Sequence, residues 1–318
     1  MSIERPVIVV GAPRSGTTLI YRILSFAPEL WHLKAESHVV FEGPLKPSLD
    51  RFESNLVTED QLSDDEITEF LRKRFYDLAL NYDRSPFASS RVSEGVSFID
   101  KFKFNLYAKF AAEFSRFRKP STIRLLEKTP KNCFRIALLN SLFPDAVFIY
   151  VTRNPEDNIA SLYKGWLSSY SFFGVPVRRF SRYGYRLPKG FEIKGYSGEF
   201  WNFALVPGWE SLNSCDLLEV CARQYTLCNE FALKELSKLE SNRVLMVQHE
   251  DVVTDPLASF KRMFEFSGVA FPDALYAVVN ELPKINVSSA PFNSNFDLER
   301  LKSFSFLHSI SAELGYHV

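Results

Sequence analysis

The chain has 318 residues, and its 38 Lys and Arg residues balance 38 Asp and Glu residues, so the formal net charge is zero. Hydrophobic residues make up 46% of the chain and charged residues 24%, which excludes a disordered protein, because disorder goes with low hydrophobicity and high net charge. The neutral balance also argues against a nucleic-acid partner, since such proteins carry many uncompensated cations. We therefore expect a globular protein with an ample core.

Two further observations concern the cellular location of the protein. No basic segment followed by an apolar stretch opens the chain, and the longest apolar runs, such as 7–10 and 146–151, have the length of strands. The sequence thus predicts neither a signal peptide nor a transmembrane segment. The four cysteines form no CxxC pair and are expected to be free thiols rather than metal ligands or disulfides. Together these features predict a cytoplasmic protein.

The first predicted element is a strand at Val7–Val10, apolar throughout and therefore typical of a strand buried on both faces. An amphipathic helix follows Gly11 and is expected to end before Pro28. Ser63 and Glu66 have the spacing of a capping box, which predicts the start of another helix. The remaining elements of the first half are a helix at 102–117, a strand at 124–126 and a helix after Pro130 that includes 136–139.

The second half begins with another buried strand, at 146–151, and Asn154-Pro155 then opens a helix with acidic residues in its first turn. The later elements are a long helix at 216–239, a strand at 244–247, a helix from Asp255-Pro256 to Gly268 and a last helix from 297 to about 314. Because strands alternate with helices, we expect an α/β fold with a mainly parallel sheet and helices on both faces.

The stretch at about 163–214 departs from this alternation. Fourteen aromatic residues lie between 163 and 209, among scattered Gly and Pro and with poor periodicity. We expect a long ordered insertion rather than a separate domain, with most rings packed in the core and lining of a ligand pocket as the alternative. The arginines of this stretch are expected on a solvated face, with a role in holding an acidic ligand as the alternative: Arg178, Arg179, Arg182 and Arg186.

The run Gly11-Ala-Pro-Arg-Ser-Gly-Thr-Thr18 lies between the first strand and the first helix. In that position backbone N–H groups and the helix dipole can hold a phosphate. Gly11 and Gly16 have the spacing of a nucleoside-triphosphatase P-loop, but Thr17 stands where the lysine of that motif would reach the β and γ phosphates. Arg14 supplies a cation inside the loop instead. The loop therefore predicts a phosphate site in a P-loop-type fold and disfavours a triphosphate; a purely structural glycine turn is the alternative.

A second group of polar residues follows the strand at 146–151. Arg153 comes directly after that strand, and Ser161 lies eight residues further along, in the following helix. Ligands of open α/β sheets bind at the carboxyl ends of the strands, so both residues are expected beside the phosphate loop. A triphosphatase favours an acid for Mg²⁺ at the end of its second strand. We therefore expect a second phosphate here and no metal.

These motifs occur together with three others, and the set resembles the PAPS-dependent sulfotransferases, especially the bacterial group related to tyrosylprotein sulfotransferases. PAPS is 3′-phosphoadenosine 5′-phosphosulfate. The matching segments are GAPRSGTT at 11–18, EKTPKN at 127–132, FPDAVFIYVTRNPEDNIAS at 143–161, VLMVQHEDVVTDP at 244–256 and ELGY at 313–316. The resemblance covers both ends of the chain but not the aromatic stretch, and it implies a single sulfotransferase-like domain over 1–318.

The resemblance also implies roles for individual residues. The residues expected to bind the 5′-phosphosulfate of PAPS are Arg14, Ser15, Gly16, Thr17 and Thr18. Arg153 and Ser161 resemble the pair that holds the 3′-phosphate. The family places lysine-rich residues near 286–297 as well, and no such segment is evident here; the candidates to replace it are Lys284, Arg300 and Lys302. A further departure is His249, which stands before Glu250-Asp251 where the family has tyrosine.

The implied reaction is in-line transfer of a sulfuryl group from PAPS to an acceptor hydroxyl or amine, without a metal. Glu36 is the best match to the family's catalytic base, and His38 is the alternative base. Lys128 resembles the lysine placed beside the transferring group, and with Arg14 it would stabilise charge on the leaving phosphate. For Glu36 a solvated or capping acid, and for Lys128 a surface cation, are the simpler interpretations.

Two other functions remain open on the sequence alone. An atypical P-loop kinase or ATPase is disfavoured by Thr17 and Arg153, and a catalytically inert nucleotide-binding scaffold is disfavoured by the presence of both Lys128 and an acid suited to act as base. The acceptor itself is not predicted beyond a carbohydrate, lipid, polyketide-like metabolite or peptide tyrosine. A small molecule or a lipid precursor fits the predicted compartment best, and the sequence predicts no oligomeric state.

Overall fold

The structure is a computed structural model that describes residues 1–34, 36–81, 119–168, 184–285 and 296–317. The predicted helix at 102–117 and three of the four clustered arginines lie outside the described residues, as does the side chain of Lys284. The strands are β1 Ser2–Ile3, β2 Val7–Val10, β3 Leu30–His32, β4 Thr122–Lys128, β5 Val147–Thr152, β6 Tyr185–Arg186, β7 Phe200–Trp201 and β8 Val244–Gln248.

The described helices fall into two groups along the chain. Those before β5 are α1 Thr17–Leu24, α2 His38–Phe41, α3 Glu59–Leu62, α4 Asp65–Leu78 and α5 Ile136–Leu142. Those after β5 are α6 Pro155–Leu167, α7 Leu217–Leu236, α8 His249–Thr254, α9 Pro256–Ser267, α10 Leu275–Ile285, α11 Leu298–Lys302 and α12 Ser305–Glu313. A short 3₁₀ segment, Pro130–Phe134, connects β4 to α5.

The central sheet has six strands, and all its described pairs are parallel. Leu126 of β4 pairs with Val7 of β2 and with His32 of β3, so β4 lies between those two strands. Val7 also pairs with Val147, which places β2 between β4 and β5, and β8 pairs with β5. The spatial order is therefore β3, β4, β2, β5, β8, with β1 alongside the start of β4.

Both faces of this sheet are covered, as the apolar strands predict. Side chains alternate along a strand, and in β2 Ile8 and Val10 belong to one hydrophobic core while Val7 and Val9 belong to another. All four are fully buried. Such double burial is typical of parallel sheets with helices on both faces, and the predicted fold class is confirmed.

The sheet brings three sequence-distant segments to one edge. Since β4, β2 and β5 are neighbours and parallel, their carboxyl ends adjoin one another. Lys128 is the last residue of β4, the phosphate loop follows β2, and Arg153 follows β5. Strand order alone thus gathers the predicted site residues of these three segments.

Two predictions of local structure are wrong. Ser63 and Glu66 do not form the capping box: Ser63 ends α3, and Asp64 caps α4 by accepting a hydrogen bond from Ile67 N at 3.0 Å. The capping box belongs instead to Thr58 and Gln61, because a separate short helix precedes α4.

The helix expected from 297 to about 314 is also divided, into α11 and α12. The hydroxyl of Ser303 donates to the Arg300 carbonyl at 2.6 Å, and Phe304 then has an extended backbone. An extended residue cannot continue the helical hydrogen bonds, so α12 starts anew after it.

The aromatic stretch contributes to the core where it is described. Trp166, Trp201 and Trp209 are each at most 2% exposed, and their rings meet edge to face at 5.3 Å and 6.4 Å. Each indole N–H donates a hydrogen bond, to Gln224, to Ala204 and to Glu53 respectively. Core packing, the expected role of most rings, is confirmed for these three. Arg186 is exposed and pairs with Glu199.

Three of the four cysteines are buried, Cys215 is partly exposed, and all four are free thiols. Among the described residues, no helix has the length and apolar character needed to cross a membrane. In the same part of the chain, no three His, Cys, Asp or Glu side chains gather in a group that could hold a metal ion.

Candidate functional site

The phosphate loop owes its shape to close packing against β5. A Cβ atom on Gly11 would lie 2.4 Å from the Val151 carbonyl oxygen and 2.7 Å from Ser15 Oγ, so only glycine fits. Arg14 and Gly16 both have positive φ angles, 73° and 95°, which turn the chain into the start of α1. Ser15 Oγ donates to the Ala12 carbonyl at 2.7 Å and fixes the turn from inside.

Helix α6 fastens this loop from the other side. The buried amide of Asn158, oriented to suit its neighbours, donates to the Pro13 carbonyl at 3.1 Å and accepts from Ser15 N at 3.3 Å. Sequence reasoning missed Asn158. Its spacing of three residues from Ser161 was an available signal, because residues three apart share one face of a helix.

Arg14, Ser161 and Arg153 lie together, where the sequence placed them. Arg14 Nε donates to Ser161 Oγ at 3.0 Å, and Arg153 Nη1 donates to the Arg14 carbonyl at 3.1 Å. Burial and the charge of Arg153 lower the pKa of Arg14. Arg153 Nε is buried and has no hydrogen-bond partner among the described residues. Two neighbouring guanidinium groups repel each other, so an anion between them would be stabilised.

His249, the residue directly after β8 and the first of α8, completes this side of the site. A Cβ atom on Gly16 would lie 2.4 Å from His249 Nδ1, so the imidazole packs directly against the loop. That nitrogen is buried without a hydrogen-bond partner in the described part of the chain. Burial and the nearby charge of Arg153 lower the pKa of His249. His249, which stands where the family has tyrosine, therefore faces the phosphate loop.

The carboxyl end of β5 is fixed by the C-terminal segment. Tyr316 OH donates to Glu250 Oε2 at 2.8 Å and lies 3.2 Å from the hydroxyl of Thr152. Glu250 Oε1 accepts from Asn154 N at 2.9 Å, at the start of α6. These contacts set the direction in which Arg153 leaves the strand.

The other side of the site centres on Glu36. Its Oε1 lies 2.5 Å from Lys128 Nζ, and its Oε2 lies 2.9 Å from His38 Nε2. Glu36 is 29% exposed, whereas the side chain of Lys128 is 4% exposed. Burial acts to raise the pKa of Glu36, but the charge of Lys128 and the hydrogen bond from His38 outweigh it and lower that pKa to about 2. The structure thus brings Glu36 and Lys128, two of the three predicted catalytic residues, into contact.

Buried hydrogen bonds hold the Glu36 segment against the end of β4. Ser37 N donates to Thr129 Oγ1 at 2.8 Å, and Ser37 Oγ donates to Glu127 Oε1 at 2.6 Å. Asn132 Nδ2 donates to the same Glu127 oxygen at 2.9 Å. Burial raises the pKa of Glu127. The sequence suggested no role for Ser37 or Glu127, because their link spans 90 residues.

A buried charge cluster lies behind His38, made of Glu42, Lys131, Arg135 and Tyr185. Glu42 Oε1 accepts from Lys131 Nζ at 3.0 Å and from Arg135 Nη2 at 3.2 Å, and its Oε2 accepts from Tyr185 OH at 2.7 Å. Burial would raise the pKa of Glu42, but contacts with His38 and the two cations lower it strongly. Burial lowers the pKa of Lys131 to about 8. Sequence reasoning missed this cluster entirely.

Two of the three C-terminal cations proposed as phosphate ligands have carboxylate partners. Arg300 pairs with Asp216, the N-cap residue of α7. Lys302 Nζ lies 3.5 Å from Glu156 Oε1, in the first turn of α6. Neither contact joins the phosphate loop.

The residues present fit an anionic ligand such as a phosphate. The close-packed glycine loop opens onto the N-terminus of α1, which suits one phosphate. Two buried nitrogens without partners among the described residues, Arg153 Nε and His249 Nδ1, lie beside that loop. Buried polar atoms without a hydrogen-bond partner are rare in folded proteins and indicate a missing partner.

Comparison with known proteins agrees with this architecture. The model of the sulfotransferase family matches residues 6–187, more than half of the chain. The chain belongs to the sulfotransferase family. The activity that this supports is transfer of a sulfuryl group in general. Among curated proteins, none matches this sulfotransferase.

Solved structures resemble this sulfotransferase over its full length. The sulfotransferase domain from the curacin biosynthetic pathway is 14% identical, with a TM-score of 0.50 and 100% of both chains covered. A sulfotransferase from Alicyclobacillus acidocaldarius is 14% identical, with a TM-score of 0.49, and covers 99% of this chain and 98% of its own. At 14% identity, the similarity to the curacin-pathway domain shows a shared fold, which is a P-loop-type, mainly parallel sheet with helices.

Proposed function

We propose that this protein transfers a sulfuryl group from PAPS to an acceptor hydroxyl or amine. The observation that carries the proposal is the contact of Arg14 with Ser161 and of Arg153 with the Arg14 backbone. In this proposal the contacts join the phosphate loop to a second set of side chains, Arg153 and Ser161, that would bind another phosphate. A ligand with a phosphate at each end of its ribose, as in PAPS, matches two adjoining anion sites, whereas a triphosphate matches only one.

Within this proposal the cofactor-binding residues are those predicted from the sequence. The loop residues Arg14, Ser15, Gly16, Thr17 and Thr18 would hold the 5′-phosphosulfate, and Arg153 with Ser161 would hold the 3′-phosphate. Bound PAPS would supply the sulfuryl group. Lys128 and Arg14 would stabilise the negative charge that develops on the leaving phosphate, because fixed cations in a partly buried site act strongly on such charge.

Glu36 is the base in this proposal. With its pKa lowered to about 2, Glu36 is a carboxylate at neutral pH and can accept a proton. Its ion pair with Lys128 also weakens it as a base. If Lys128 turned toward the leaving phosphate, its positive charge would move away from Glu36, and the carboxylate of Glu36 would become more basic. The same movement of Lys128 would then stabilise the leaving phosphate and make Glu36 a stronger base.

The remaining parts of the proposal follow from the sequence. We propose a small-molecule, carbohydrate or lipid acceptor, no nucleic-acid partner and no metal, and a cytoplasmic location. The chain would act as a single sulfotransferase-like domain, with the aromatic stretch at about 163–214 as an insertion in it.

Calorimetric titration tests the nucleotide site. The ligands are adenosine 3′,5′-bisphosphate, AMP, and ATP with Mg²⁺, each titrated into the wild-type protein and into Arg153→Ala. We expect the bisphosphate to bind most tightly and without metal. Arg153→Ala should weaken that binding about 10- to 100-fold, since a hydrogen bond to a charged group contributes roughly 1.5–3 kcal/mol. AMP, which lacks the 3′-phosphate, should be almost unaffected by the same change.

The opposite outcomes are equally clear. Preference for Mg-ATP with no response to the bisphosphate would overturn the proposal in favour of a P-loop kinase or ATPase. Tight bisphosphate binding without transfer to any acceptor or to water would point to an inert nucleotide-binding scaffold.

A further inference from the structure

Both carboxylate oxygens of Glu36 have partners. Lys128 Nζ contacts Oε1 at 2.5 Å, and His38 Nε2 contacts Oε2 at 2.9 Å. A carboxylate that is to accept a proton from an acceptor must present one oxygen to it. One of the two partners must therefore move away from its oxygen before Glu36 can accept a proton, while the other can keep its contact.

His38 is the partner whose surroundings favour keeping its contact with Glu36. Its imidazole lies between two carboxylates, with Nε2 at 2.9 Å from Glu36 Oε2 and Nδ1 at 3.8 Å from Glu42 Oε1. Glu42 is 1% exposed and is itself held by Lys131, Arg135 and Tyr185. These anchors come from the 3₁₀ segment after β4, from the adjoining residue and from β6. His38 is thus in contact with a carboxylate that is itself held by three buried side chains, whereas Lys128 is the last residue of β4, at the sheet edge where the phosphate loop also begins.

The same geometry argues against His38 as the base. If Nε2 lacked its proton, a nitrogen lone pair would face the lone pairs of a carboxylate oxygen at 2.9 Å, which is repulsive. Nε2 therefore carries the proton and donates to Oε2. A nitrogen that already donates to Glu36 cannot take the acceptor's proton. The charged groups around the imidazole are Glu36, Glu42, Lys128, Lys131 and Arg135.

We propose that His38 is a positioning residue that holds Oε2 of Glu36, so that Oε1 is presented to the acceptor when Lys128 turns away. This inference rests on the proposed function, with Glu36 as base. In the step, the acceptor O–H bond breaks and its proton passes to Glu36 Oε1, while the acceptor oxygen bonds to sulfur. The bond between sulfur and the bridging oxygen breaks, and its electron pair stays with the phosphate that Lys128 contacts.

The first test needs no substrate. Carbon-13 NMR of protein labelled at the glutamate side-chain carboxyl, with the Glu36 signal assigned from Glu36→Gln, follows the protonation of Glu36 in wild type, His38→Leu and His38→Gln. In wild type Glu36 should remain ionised to the onset of acid unfolding. In His38→Leu its midpoint should rise toward the ordinary value of about 4.3. His38→Gln, which retains a donor N–H, should lie between the two.

The second test is kinetic and measures release of adenosine 3′,5′-bisphosphate from PAPS, with 4-nitrophenol or water as acceptor. His38→Leu should lower kcat about 10²-fold with KM for PAPS little changed, since a small misplacement of a reacting group costs that much. His38→Gln should recover most of the loss, and its bisphosphate Kd should equal that of wild type. His308→Leu, at an exposed histidine of α12, is the matched control and should change nothing.

The outcomes separate this inference from the proposed function. If Glu36→Gln is impaired but His38→Leu is not, or if the Glu36 midpoint does not move in His38→Leu, the positioning role is overturned and the function stands. If His38→Gln is as impaired as His38→Leu while Glu36→Gln turns over normally, His38 is the base and both assignments fall. A wild-type Kd for the bisphosphate in each variant is the control that the variant has kept its fold.

Discussion

The phosphate loop and the segment around Glu36 adjoin at one edge of the sheet, yet they arrange charge in opposite ways. On the loop side, Arg14 and Arg153 are in contact as like charges, and burial together with the charge of Arg153 lowers the pKa of Arg14. On the base side, Lys128 pairs with Glu36 and Lys131 pairs with Glu42, and the imidazole of His38 lies between the two carboxylates. The loop side is stabilised when an anion binds, whereas the charged side chains of the base side are already paired within the protein.

This difference explains which contacts belong to the protein and which to its ligand. Two like charges with a buried, unpartnered Arg153 nitrogen are unfavourable unless a ligand neutralises them. Buried pairs of opposite charge are strongly held, because removing one partner leaves the other charge buried and alone. Variants on the loop side should therefore change nucleotide affinity, and variants on the base side should change catalysis or stability.

The largest expected effect comes from Glu36. Glu36→Gln should lower kcat about 10²- to 10⁴-fold, because a positioned base contributes that much to proton transfer. The bisphosphate Kd should stay at its wild-type value, since Glu36 lies on the base side. The measurements are release of adenosine 3′,5′-bisphosphate and calorimetric titration of the same sample. Wild-type turnover in this variant would remove Glu36 from the role of base.

A smaller effect concerns stability and pH through Lys131. Burial lowers the pKa of Lys131 to about 8, below its value in the unfolded chain, so above pH 8 the unfolded state binds more protons than the folded state. The free energy of unfolding should therefore rise with pH between about 8 and 10. At roughly 1.4 kcal/mol per pKa unit, the gain is about 2 kcal/mol.

Urea unfolding of wild type and Lys131→Met at pH 7, 8.5 and 10 measures this gain as a difference between the two proteins. Groups common to both, such as the cysteines and tyrosines, cancel in that difference. The advantage of wild type over the variant should grow with pH. A difference that stays constant or shrinks would mean that Lys131 keeps its proton in the folded state, and the base side would then carry more positive charge than proposed.

The two regions were not equally predictable from the sequence. The loop side could be predicted because its residues follow strands: Gly11 and Arg14 come after β2, and Arg153 comes after β5. Parallel strands deliver their carboxyl ends to one edge, so the position of a residue after a strand largely fixes its place. The predicted bounds of β2, β5 and β8 agree with the structure within a residue.

The base side could not be predicted in the same way. Glu42 meets Tyr185 across 143 residues and Lys131 across 89, and no periodic pattern links such positions. A lysine or glutamate is ordinarily exposed, so its burial follows only from finding its partner. The division of the C-terminal helix at Ser303 and Phe304 has a local cause, but the periodicity of the sequence runs through it.

The smallest expected effect lies outside both regions, at Arg300. Its partner Asp216 is 24% exposed and Arg300 itself 48%, so their ion pair is screened by solvent. Arg300→Ala should lower the free energy of unfolding by about 0.2–1 kcal/mol, as exposed pairs do. The bisphosphate Kd should change less than about twofold, because a residue engaged with the N-cap of α7 adds little to the loop side. Urea unfolding and calorimetric titration give the two numbers, with Lys302→Ala as the matched variant. Weakening of bisphosphate binding to the extent of Arg153→Ala would instead place Arg300 on the 3′-phosphate and extend the loop side to the C-terminal helices.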